Sequence, residues 1–221
     1  PMESFAPDYI FLTHEHIDHT LGVLWIVRMA SSLYLKGKRQ QPLRIYCHAH
    51  LAQKLEYMCR ALLSGKQCQP IGSHILFTPV EDGEERVICG NTMAFFDIRS
   101  RKAEQYGFCL QNSAGQQIVC SGDEPLPQDC AAYARNADWL LHESFCLDAD
   151  AGIFAPHAIG HGTVAEAARK AHDLGIKNLV LWHTEDTRPA DERKRLYVAE
   201  AKRFFAGNIF VPNDLERIAL R

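Results

Sequence analysis

No CxxC pair occurs among the eight cysteines, which stand at 47, 59, 68, 89, 109, 120, 130 and 146. Metal ribbons and thioredoxin-like redox sites need that spacing, so neither is expected. No apolar run is long enough to cross a membrane: the longest, Leu21 to Ala30, is about ten residues and broken by Arg28, against the roughly 20 a span requires. No excess of charge is present either, with 24 Lys+Arg against 27 Asp+Glu and a formal net charge of −3. That balance removes a global electrostatic reason to expect nucleic acid. No basic-apolar-small leader opens the chain, and the scatter of the cysteines points to reduced thiols of a cytoplasmic protein. With no repeat, low-complexity stretch or Pro/Gly linker, residues 1–221 read as one domain.

What the chain does have is an ordinary globular composition over 221 residues, 47% hydrophobic and 23% charged. That length suffices to bury roughly 70% of the unfolded surface. Cys47, Cys89 and Cys120 end apolar strand-like runs, where Cys behaves as a small buried hydrophobe. Scattered in this way, the cysteines read as reduced thiols. The compositional surplus is in histidine, of which there are eleven.

Short apolar runs alternate with longer amphipathic ones, the pattern of an α/β fold. Strands are expected at 9–13, 43–47, 74–78, 86–89, 92–98, 106–111, 116–120, 139–141 and 178–182. Residues 209–211 and 217–220 are expected to close the sheet. Helices are expected at 21–35, 51–63, 127–135, 163–174 and 190–205, with 14–19 as a polar loop.

The sharpest signal is Thr13-His14-Glu15-His16-Ile17-Asp18-His19-Thr20, where an apolar strand gives way to an amphipathic helix. Four metal-capable side chains, His14, His16, Asp18 and His19, fall within this stretch. In extended geometry 14, 16 and 18 share a side, while His19 points elsewhere from the helix start. Such an arrangement can serve two neighbouring metals. Two plainer readings are that Asp18 only caps the helix and that the histidines are solvated, but capping is compatible with ligation. The HExxH pattern is excluded, because residue 18 is Asp where a second helical His would have to stand.

His14-Glu15-His16-Ile17-Asp18-His19 resembles the HxHxDH signature of the metallo-β-lactamase superfamily, and later segments agree with it in order. Ser121-Gly122-Asp123 after the strand 117–120 is similar to the strand-terminal aspartate that bridges two metals. His183-Thr184 after 179–182 is similar to the last histidine ligand. Leu141-His142-Glu143-Ser144 and Gly160-His161-Gly162-Thr163 resemble the ribonuclease Z-like and small phosphodiesterase branch. The resemblance spans about residues 8 to 185.

The resemblance implies an αββα sandwich of two mixed sheets flanked by helices, and two divalent ions, zinc first with manganese or iron as alternatives. His14, His16 and Asp97 would hold one ion, and Asp18, His19 and His183 the other, with Asp123 between them. Asp97 enters because no histidine follows His74 before Asp123, and a carboxylate can replace imidazole on a borderline metal. Asp18 and His161 are the catalytic candidates, His161 without being a ligand. His142 and His157 are weaker candidates for substrate contact. Glu15 and Glu143 are candidate partners for histidine N–H groups. Because the family's first strands normally precede HxHxDH, the leading strands are expected to be missing.

The implied function is a dinuclear metal-dependent phosphodiesterase acting on a small or nucleotide-like substrate. No room exists between Gly107 and Asp123 for the long arm that transfer-RNA processing would call for. A carboxylic-ester, lactone or thioester hydrolase is the enzymatic alternative, and a binding protein with a degenerate metal site the other. The expected partners are the substrate, no membrane, and, left open, a second copy of the chain.

Overall fold

A computed structural model describes residues 7–220. The chain divides into two compact units, one running to Glu84 and including Arg99–Tyr106, the other holding Glu85–Ile98 and Gly107 onward.

The first unit alternates strand and helix: β1 (Tyr9–Phe11), α1 (Ile17–Leu35), β2 (Leu43–Cys47), α2 (Ala49–Leu62), the short α3 (Gly65–Cys68) and β3 (Ile75–Pro79). The strands form a parallel sheet in the order β1-β2-β3, with Tyr9 opposite Arg44 and Ile45 opposite Phe77. Parallel strands require helical crossovers, which α1 and α2 supply. Leu51, Leu55 and Cys59 recur at helical spacing along α2 and bury with Val23, Val27 and Ala30 of α1 against Leu43, Ile45 and Ile75. His48 caps α2, its ring accepting the Leu51 N–H.

Helix α1 starts at Ile17, earlier than the sequence suggests, so Asp18 and His19 lie in its first turn rather than on an extended loop. The Thr20 N–H and hydroxyl both bind the His16 carbonyl, closing that turn, and the Asp18 carboxylate suits the positive helix end. Extended geometry therefore relates His14 and His16 but stops short of Asp18. Asp18 is not a cap either, because His16 occupies the cap position.

The second unit carries β4 (Glu85–Ile88), β5 (Asn91–Asp97), β6 (Tyr106–Gln111), β7 (Gln117–Cys120), α4 (Ala131–Ala134), β8 (Trp139–Glu143), α5 (Ala151–Phe154), α6 (Val164–Asp173), β9 (Asn178–Trp182), α7 (Ala190–Ala201) and β10 (Asn208–Phe210). Its sheet runs β10-β9-β8-β7-β6-β5-β4, parallel from β10 through β7 and antiparallel where β7 meets β6 and β5 meets β4. Val119, Leu140, Leu179 and Leu181 pack against the alanine stripe of α6 and against Tyr197 and Ala201 of α7. Small residues at 167, 168 and 171 let α6 lie close to the strands. A capping box joins Thr163 and Glu166 at its start.

Three local expectations are corrected. Cys89 lies in the turn of the β4–β5 hairpin, not in a strand: Cys89 and Gly90 both have positive φ, 53° and 75°, as a two-residue turn demands, and the thiol is exposed. Residues 217–220 form no ladder; Ile218 instead packs on the cluster around Trp139 and Val180. The helix expected at 127–135 is a 3-10 turn at Gln128–Cys130 running into α4. All eight cysteines are free thiols, and among the described residues no helix is long and apolar enough to cross a membrane. The two sheets and their helices realise the α/β class expected from the alternating pattern.

Candidate metal-binding residues

In the first unit β1 delivers Thr13 and His14 to the point where the strand ends. His14 is fully buried, with Nδ1 2.9 Å from the Thr13 hydroxyl and Nε2 2.8 Å from His16 Nδ1. The rings of His16 and His19 approach that of His14 at 4.4 and 4.3 Å between centroids. His19 Nε2 lies 3.2 Å from the Asp18 carboxylate. Strand end and first helical turn thus gather the four side chains read from the motif. Thr13, whose hydroxyl orients the His14 ring, was not singled out in the sequence, although its place beside the first histidine was a usable signal. The Glu15 carboxylate pairs with Lys54 of α2, whose hydrogen bond holds it below the usual carboxylate range.

In the second unit Asp123, His161 and His183 come together, each offering one ligand atom, all within 4.8 Å of one another. Asp123 follows β7 through Gly122, whose φ of 87° makes a turn that glycine adopts without steric cost. His183 Nε2 lies 2.7 Å from Asp123 Oδ1, and His161 Nδ1 lies 3.9 Å from the same oxygen. Two imidazoles and a buried carboxylate are the donor chemistry that a borderline divalent cation takes. Asp97 closes β5, its carbonyl accepting from the Cys130 thiol, and is not a member of this group.

His161 is held more firmly than its flanking glycines suggest. Its ring stacks on Phe145 at 5.2 Å and on His183 at 5.0 Å, and its N–H binds the Pro156 carbonyl. Fully buried Glu143 at the end of β8 places Oε2 3.6 Å from His161 Nδ1 and accepts the Gly162 N–H at Oε1. A Cβ at Gly162 would meet Glu143 Oε1, Glu166 Oε2 and Pro125, each at 3.2 Å, so the close approach depends on glycine.

His183 takes a left-handed conformation, φ 52°, at the end of β9. The turn is clamped on both sides: the Ser144 N–H binds the Trp182 carbonyl and the Glu185 N–H binds the Phe145 carbonyl, which also accepts the Tyr197 hydroxyl. Burial pushes the Glu185 carboxyl up, but the Thr187 hydroxyl and N–H and the Arg188 guanidinium outweigh it and hold it below its ordinary value. No periodic or motif signal in the sequence marks this brace.

Two of the weaker candidates have structural duties. His142 is buried with both ring nitrogens engaged, Nε2 accepting the Leu126 N–H and Nδ1 lying 2.6 Å from the Glu143 carbonyl, so it is not free to meet substrate. Burial keeps it neutral by pushing its pKa down. His157 is exposed and pairs with Glu166 of the α6 capping box. Of the histidines left outside any motif, His48 is the α2 cap and His74 stacks on Tyr34 at 3.7 Å.

The β-lactamase superfamily domain family matches residues 3–184. Ribonuclease Z of Pseudomonas putida is 34% identical over 113 residues, which cover 48% of this chain and 34% of that protein. The matched chain thus spans about a third of the length of such relatives. Ribonuclease Z of Bradyrhizobium diazoefficiens is 27% identical over 263 aligned positions, covering 96% of this chain and 82% of that protein. Among solved structures, the metallo-β-lactamase fold protein YhfI from Bacillus subtilis superposes with a TM-score of 0.72 at 22% identity, over 93% of this chain and 75% of the other. The short form of human tRNase Z superposes with a TM-score of 0.65 at 19% identity, over 97% and 79%. At these identities the superpositions speak for the fold alone.

Proposed function

The chain belongs to the β-lactamase superfamily, and on that premise we propose that it is a metal-dependent hydrolase of phosphodiesters, acting on a small or nucleotide-like substrate. The observation that carries this reading is the gathering of His14, His16, Asp18 and His19 at one strand-to-helix junction, and of Asp123 and His183 beside His161 in a second group. From the order of the motifs along the chain, His14, His16 and Asp97 are assigned to one divalent ion and Asp18, His19 and His183 to the other. Asp123 is shared. Zinc is the first choice, since imidazole and carboxylate donors suit it, with manganese or iron as alternatives.

Divalent ions held by these residues would supply an activated water near neutral pH and positive charge for the phosphoryl oxygens. The chain's own residues do the rest. His161 donates a proton to the leaving oxygen, a task that suits imidazole. The Glu143 carboxylate faces its ring at 3.6 Å, and the stack with Phe145 sets the plane. Asp18 and the Thr13–His14 contact keep the first donor group in place.

The ribonuclease Z relatives support phosphoester chemistry over acyl transfer. The test is metal analysis combined with a screen of bis-p-nitrophenyl phosphate against lactone and thioester substrates. Turnover of the diester with about two ions per chain is expected. Turnover of acyl compounds alone would promote the ester, lactone or thioester reading, and a metal-free inactive protein the binding-protein reading.

A homodimer is the assembly we favour, because Ile17, Leu21 and Trp25 line one side of an open groove of about 660 Å³ with Leu62 and Leu63 opposite, and Trp25 is 59% exposed. Eight free thiols support residence in the reducing cytoplasm.

A further inference from the structure

Glu15 stands between two candidate ligands yet faces away from their chemistry. His14 and Glu15 lie outside helix and strand, and His16 is the extended cap residue of α1 with φ −59° and ψ 152°, so successive side chains can leave on opposite sides. His14 and His16 meet each other on one side. On the other, Glu15 meets the ammonium of Lys54. Lys54 belongs to the second turn of α2, a helix fixed to its sheet by Leu51, Ala52, Leu55 and Cys59 on the buried face. The ammonium is thus delivered from a rigid element to a three-residue stretch that has no secondary structure of its own.

We propose that Lys54 is a positioning residue for metal binding: by clamping Glu15 to α2 it holds the His14–His16 stretch in the orientation that presents both imidazoles to a cation. The inference rests on the metal reading above. A partner outside the ligand set commonly orients the ligands it supports, and its loss typically weakens metal affinity about 10–100-fold. In the ordinary case that partner hydrogen-bonds a ligand ring, as Thr13 does for His14 here. Lys54 acts instead on the backbone between two ligands. Both members of the pair are partly exposed, 43% for Lys54 and 31% for Glu15, and surface ion pairs add little to folding. Their signature is therefore a loss of metal affinity without a matching loss of stability in the metal-free protein. The charges also cancel within the pair, so no bare ammonium is left beside a cation site.

Competition titration with a chromogenic zinc chelator tests this on the full chain stripped of metal, alongside thermal melts of the metal-free forms. Lys54→Met and Glu15→Gln should each bind zinc about 10–100-fold more weakly than wild type, with metal-free melting points unchanged. The double variant should be no weaker than either single one, because the two changes remove one clamp. Lys54→Arg should restore most of the affinity. Equal zinc affinity in Lys54→Met and a tightly binding wild type overturns the clamp alone. So does a fall in metal-free melting point that tracks the loss and that Lys54→Arg does not repair. A wild-type chain that takes up no zinc, manganese or iron overturns the metal reading instead.

Discussion

Glu143 and His161 face one another across 3.6 Å, carboxylate Oε2 to imidazole Nδ1, while the other carboxylate oxygen holds the Gly162 N–H at 2.7 Å. One buried acid thus governs both the ring and the backbone that carries it. Replacing His161 with Ala should lower the rate on alkyl phosphodiesters by roughly 10²–10⁴-fold, the scale of a general acid. Nitrophenyl diesters should lose less, since nitrophenolate departs with little help. Metal content decides the rest: two ions retained supports Asp97 as a ligand, and one ion lost makes His161 the ligand in its place.

Asp123 is the residue most exposed to a decisive experiment. Its carboxylate lies within reach of His183 and His161 in a buried setting, and it is proposed to serve two cations. Asp123→Ala should leave about one ion per chain and remove turnover, as measured by elemental analysis after dialysis. Retention of both ions and full activity would remove Asp123 from the ligand set.

Acid should destabilise the fold through His142. Burial pushes this ring's pKa down in the folded state, whereas the unfolded chain titrates near about 6.5. Between the folded and unfolded values the unfolded chain holds more protons, so stability falls as pH drops below about 6.5 until the folded value is passed. Urea midpoints from about pH 8 to about pH 5 should decline on acidification in wild type. His142→Gln should start lower, having lost the Leu126 contact, and decline less. A parallel decline in both would assign the acid sensitivity elsewhere.

Trp25→Glu should convert a dimer to a monomer in light scattering while leaving the far-ultraviolet circular dichroism unchanged, because the ring is exposed and its loss opens no core cavity. A wild-type chain that is monomeric at high concentration rejects the dimer outright.

The sequence made the strands legible where β-rich apolar runs are buried on both faces, as in Leu179–Leu181, and the helix expected at 163–174 is α6. The donor residues were legible because a motif clusters them within a few positions. Local punctuation was harder to read. Cys89 looked like a strand residue because its neighbours are apolar, and only the pairing of Ile88 with Asn91 turns it into a hairpin tip. The start of α1 was hidden because histidines mask the first helical turn. Partners distant in sequence, Lys54 for Glu15 and Phe145 for Glu185, carry no periodic signal and come from tertiary packing alone.

The strand order β10-β9-β8-β7-β6-β5-β4 has a kinetic meaning. Every ladder in that sheet joins strands that are consecutive along the chain, so no pairing waits for a remote segment to return. Topologies of this kind lower the mean sequence separation of contacts and speed folding relative to sheets of shuffled order. The longest closure is the stretch from Glu143 to Asn178, which must fold α5 and α6 before β9 can settle beside β8. That stretch carries His161, so its assembly would be the step at which a newly made chain becomes competent.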